Sequence, residues 1–64
     1  MVDNIIREIE SDINETKQRM ENTQAQLEIA KDPDEIERLN QSLLHSNLHI
    51  VEQERRIDRL MEYA

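Results

Sequence analysis

The chain has 64 residues, a net charge of −7, no cysteine, no glycine and one proline. That length holds a single small domain, without a disulfide to staple it and with a modest core at best. The acidic balance disfavours nonspecific binding to nucleic acid or to anionic membrane, and no apolar run approaches the length of a membrane span.

Charged residues make up 36% of the chain and aromatic residues 2%. Composition of that kind suits disorder, but the periodicity points to helix. The opening stretch MVDNIIREIE sets acids among its apolar residues and has no hydrophobic centre, so it does not read as a secretory signal. With no cysteine, the chain fits a cytoplasmic protein.

A first helix is predicted over residues 2–31. Val2, Ile6, Ile9, Ile13, Thr16, Met20, Thr23, Leu27 and Ala30 recur at alternating spacings of four and three, an unbroken heptad seam. Ile6, Ile13, Met20 and Leu27 take the a positions; Val2, Ile9, Thr16, Thr23 and Ala30 take d.

The turn is predicted at residues 31–33, inside Lys31-Asp32-Pro33-Asp34-Glu35. Proline within a helix removes a hydrogen bond and clashes with the preceding turn, at about 3 kcal/mol. Here it suits the first position of a new helix, with Asp32 as N-cap, held out of the helical region by the proline after it. Glu35 falls where a capping box needs it, Asp34 complements the helix dipole, and Lys31 suits the negative end of the first helix. A connection this short favours antiparallel neighbours.

A second helix is predicted over residues 33–63, about 45 Å long, like the first, at 1.5 Å per residue. Its seam places Ile36, Leu43, Ile50, Ile57 and Ala64 at a and Leu39, Ser46, Gln53 and Leu60 at d. The two seams are out of phase across Pro33, so one straight helix would rotate its apolar stripe there. Folded back, they mate: each a residue faces a d residue of the other helix, and every such pair sums to 66. Leu27 meets Leu39, Thr16 meets Ile50, Ile13 meets Gln53 and Ile6 meets Leu60. The flanks bring Asp12 to Arg56 and Ile5 to Tyr63, with Glu10 against Glu54 as a discordant pair. Thr16, Thr23, Ser46 and Gln53 make the middle layers part-polar, which permits close helix approach or sets register. The expected fold is all-α: an antiparallel two-helix hairpin, coiled-coil-like, dimerising into a four-helix bundle.

Beyond the seam, Leu44, Leu48 and Val51 fall at b, f and b, neighbours on the outer surface of the second helix. Ile29 and Ala25 add apolar surface on the outside of the first. A clustered triplet of this kind marks a protein contact. A second copy of the chain is the simplest occupant; an amphipathic helix of another protein would bury the same stripe.

Chemistry-bearing residues are sparse. His45 and His49 stand at i and i+4 with Glu52 one turn on, the candidate ligands for a divalent metal, but Ser46 stands where the H-E-x-x-H signature has glutamate. Arg55, Arg56 and Arg59 read first as solvated arginines paired with Asp12, Glu52, Asp58 and Glu62. RNA or phosphate contact is their alternative role, without an aromatic residue among them to stack on bases. The sequence has no glycine-rich phosphate loop and no serine or cysteine nucleophile with a partnered histidine, so neither catalysis nor a cofactor is expected.

In length, acidity and hairpin layout the chain resembles the plasmid repressor-of-primer family. Those proteins are dimers of αα-hairpins that form a four-helix bundle and bind paired RNA loops. The likeness spans the whole chain at the level of layout, and no motif or RNA-binding residue is carried over; it implies an RNA-binding regulatory dimer as the alternative function. Small sporulation aspartyl-phosphate phosphatases are also acidic hairpins, with a Ser-Gln-x-Leu-Asp motif on the second helix. Asn40-Gln41-Ser42-Leu43-Leu44 matches its Gln and Leu but has Asn for Ser and Leu for the Asp, and that activity is not carried over.

Overall fold

Two helices account for nearly all of residues 2–63, the span that the computed structural model describes. Helix α1 runs Val2–Ile29 and helix α2 runs Pro33–Glu62, packed side by side as an antiparallel hairpin. The result is a rod with Cα extents of 48 × 14 × 10 Å, one helix thick and two wide.

The reversal uses three residues, 30–32, and needs no left-handed backbone: among the described residues none has positive φ. Ala30 N donates to Gln26 O at 3.0 Å, which extends the α1 ladder by one bond. Asp32 is extended, at φ −81° and ψ 124°, as its place before proline demands. Its carbonyl accepts the first α2 bond from Ile36 N at 3.0 Å.

Two local expectations are corrected here. The helix α1 ends before Lys31, so that cation lies in the turn and the last turn of α1 contains no basic residue. The cap of α2 is also one-sided. Asp32 Oδ1 accepts from Asp34 N at 3.3 Å, an Asx-type closure two residues on, and Glu35 returns no bond to the Asp32 amide. A reciprocal box needs the cap side chain at the amide three residues on; here it is engaged one residue earlier.

Burial follows the two seams. Every described seam residue is buried or half-buried, and outside the seams only Asp12 and Glu35 are less than exposed. Ile9, Ile13 and Ile50 form the continuous core, with Met20, Ile57 and Leu60 packed against it; Leu39 is a separate buried point near the turn. This placement agrees with a-to-d pairing, since Ile9 and Ile57, which face each other in it, belong to one cluster. The outermost pair, Val2 with Ala64, extends outside the described residues.

The core is small, so single contacts weigh heavily. Ile13→Ala is expected to cost about 2–5 kcal/mol by loss of burial plus cavity, and Asp32→Ala about 1 kcal/mol by loss of the cap. Urea unfolding followed by circular dichroism should show the larger shift for Ile13→Ala; equal shifts would contradict this placement of the core.

Candidate interaction surface and the polar network beside it

Helix α2 shows different chemistry on its inner and outer faces. On the inner flank, Asp12 reaches across from α1. Its Oδ2 accepts from Gln53 Nε2 at 2.6 Å and lies 2.6 Å from His49 Nε2. Gln53 is buried at 8% exposure, and its Oε1 accepts from Arg56 Nη1 at 3.2 Å. One carboxylate thus collects two donors from the opposite helix, and a buried amide is satisfied at both ends.

The threonines close their own bonds. Thr16, the most buried side chain at 2% exposure, donates its hydroxyl to Asp12 O at 2.8 Å and accepts from Arg19 Nη2 at 3.2 Å. Thr23 donates to Arg19 O at 2.9 Å. Bonding back to the carbonyl four residues earlier lets a hydroxyl enter a seam without a cross-helix partner. Among the described residues no buried side-chain nitrogen or oxygen lacks a partner.

The Asp12 carboxyl is held below its ordinary 3.8. Hydrogen bonding from Gln53 is the main cause, followed by the bond to His49 and then by the positive charge of His49 and Arg19; partial burial opposes them.

These contacts correct the expected flank. Arg56 does not reach Asp12: it bonds the far side of Gln53, and among the described residues no Lys or Arg lies within 4 Å of a carboxylate, the one basic side chain that does being His49, on Asp12. The Asp12 carboxylate is taken by His49 and Gln53, and Gln53 in turn holds Arg56. Arg55, Arg56 and Arg59 therefore make none of the expected pairs with Asp12, Glu52, Asp58 and Glu62. Arg55 and Arg59 flank Asp58 in one open groove, and Arg56 and Arg59 line another with Ile5 and Leu60. Tyr63, expected beside Ile5, is 86% exposed.

His45 and His49 line an open groove with Thr16, Arg19 and Ser46. Glu52 does not join them: among the described residues no three His, Cys, Asp or Glu side chains are gathered as a metal site. A metal at His49 Nε2 would have to displace the bond to Asp12.

The outer face is apolar at its centre. Leu44, Leu48 and Val51 are 60%, 53% and 44% exposed, one turn apart. The outer surface of α1 offers Ile29, largely exposed near the reversal, and Ala25, with no comparable run. The Asp12 hub was missed in the sequence, although Asp12 and His49 both hold the g position on the same flank.

No helix among the described residues is long and apolar enough to cross a membrane. No protein-family model, no curated protein and no solved structure matches this chain.

Because its pKa is lower in the folded chain, Asp12 contributes stability that is fully present above the ordinary 3.8 and is lost as pH falls through the folded value. Asp12→Asn should therefore be less stable than the parent at neutral pH, and the gap should narrow on acidification below about pH 4. Urea midpoints measured at intervals between neutral and strongly acidic pH check this; a gap that does not change with pH would contradict the role of the carboxylate.

Proposed function

We propose that this chain is a small non-enzymatic protein–protein interaction module, structural, adaptor or regulatory in role. It self-associates through Leu44, Leu48 and Val51 as a homodimer of four helices. The observation that carries this reading is the exposure of those three side chains on one outer surface of α2, while the seam of the same helix is already closed by α1. Apolar side chains clustered on a surface stripe are stabilised by leaving water, each fully buried Leu or Val contributing about 1.5–3 kcal/mol. Among the described residues the hairpin alone buries four apolar side chains below a tenth exposure, and chains of this size commonly need a partner to be stable. A second copy supplies an identical stripe through a two-fold axis.

Light scattering over about a hundredfold range of concentration tests this by mass action. The parent is expected to run as a dimer that dissociates on dilution. Leu44→Glu/Leu48→Glu is expected to be monomeric throughout while keeping helical circular dichroism, since both sites are outside the seam. A double variant that associates like the parent would refute the stripe as the interface.

One observation favours a second reading, RNA binding. Arg55, Arg56 and Arg59 lie in the last turns of α2 with no carboxylate of the described residues within ion-pair distance. Phosphate contact of this kind is strongest at low salt, so a mobility shift with structured RNA under that condition supports it, and no shift removes it.

A further inference from the structure

The outer face of α2 contains more than the apolar triplet. From Leu39 to Val51 the chain has no Asp, Glu, Lys or Arg, and charge resumes on either side, with Glu37 and Arg38 before and Glu52 and Arg55 after. All four of these charged side chains are exposed. The stripe is thus a neutral strip bracketed by an acid and a base at each end.

We infer that the second copy docks back to back on this face with the two α2 helices antiparallel, Leu44 of one against Leu48 of the other, and Glu37 against Arg55. The inference rests on the self-association proposed above. It follows from the register. Gln41, Leu44, Leu48, Val51 and Arg55 succeed one another at spacings of three and four, as a second seam on α2. In an antiparallel pair, positions facing each other keep a constant sum. With Leu44 on Leu48 that sum is 92. It sets Val51 on Gln41 and Glu37 on Arg55, and on the adjoining flank, where the sum is 90, Arg38 on Glu52. Each opposite-charge pair occurs twice by symmetry. The discordant layer, Asp34 on Asp58, falls outside this central stretch.

The competing arrangements are worse. Sliding by one heptad to a sum of 99 keeps Leu48 on Val51 but puts Leu44 on Arg55 and Glu37 on Glu62; sliding the other way, to 85, puts Leu44 on Gln41, Leu48 on Glu37 and Val51 on Asp34. A parallel pair sets every layer against itself, so Glu37, Arg55, Asp58 and Glu62 each face their own kind. Like charges held opposite one another select against a pairing.

The stripe also lies about 150° round α2 from the seam, at 3.6 residues per turn. The four helices therefore stand in a row, the two α2 helices inside and the α1 helices outside.

Charge exchange and a distance test this. Arg55→Glu should weaken the dimer by a factor of about ten, since two favourable pairs become repulsive. Glu37→Arg/Arg55→Glu should restore most of the affinity, because the exchange recreates both pairs only in this register. The chain has no cysteine, so a nitroxide on Glu62→Cys is unique. Antiparallel helices with this register hold the two labels about 48 Å apart along the axis, at 1.5 Å per residue; a parallel pair brings them to adjacent helix ends. A dimer with the long distance and the rescue supports the inference. A dimer with a short distance, or with no rescue, overturns this geometry and leaves self-association standing. A monomer at all concentrations overturns both.

Discussion

Two helices joined by an apolar seam can slide by a heptad and still bury leucine against isoleucine. What prevents this here is a polar contact that joins a flank residue of one helix to a seam residue of the other. Asp12 of α1 takes hydrogen bonds at 2.6 Å from both Gln53 and His49 of α2, donors one turn apart on the same helix. A shift of one heptad would remove both donors and leave the buried Gln53 amide without its acceptor, which costs more than the bond contributed. The turn fixes the offset at one end of the rod, and Asp12 fixes it again between the turn and the termini.

The other polar layers follow the same economy. Thr16 and Thr23 return their hydroxyls to the carbonyls of Asp12 and Arg19, so neither needs a partner on α2. Their role in the seam is steric: a small side chain opposite Ile50 or Leu43 permits close approach. Only Gln53 depends on the opposite helix, and it is the layer that reads register. A seam of isoleucine throughout would bury more apolar surface and specify its pairing less.

The heptad positions were legible in the sequence because they depend on spacing alone, and every described seam residue is buried or half-buried. Asp32 as the cap of α2 was legible for a similar reason: proline dictates the backbone before it. The errors lie where side-chain reach decides. Glu35 and Arg56 have the right charge in the right register, yet Asp32 closes on Asp34, and Gln53 lies between Arg56 and Asp12. Position in a heptad gives the flank a residue occupies, not which of two donors arrives first. The outer triplet was legible as a pattern, and its exposure follows from where α1 packs. What would cover it depends on a second molecule, so one chain's periodicity reaches only as far as the charges that would face each other.

Those charges separate an ordinary solvated face from the face proposed for docking. In a chain that is 36% charged, a helix face with no purpose beyond solubility would carry acid or base at each turn. The outer face of α1 comes nearer to this, with Arg7, Glu8, Glu15, Glu21 and Glu28, and its uncharged run, residues 22–27, is shorter and more polar. The outer face of α2 omits charge from Leu39 to Val51 and places leucine and valine at the centre of the gap. Desolvating a charge on association is costly and desolvating Leu44 or Leu48 is favourable. The same gap explains why the arginines do not define the face: Arg55 borders it, where an acid of a second copy would meet it, and Arg56 turns inward to Gln53. The hairpin seam and the dimer face proposed above follow one rule. Apolar contact supplies the attraction, and a polar group just outside it decides which of the available registers is occupied.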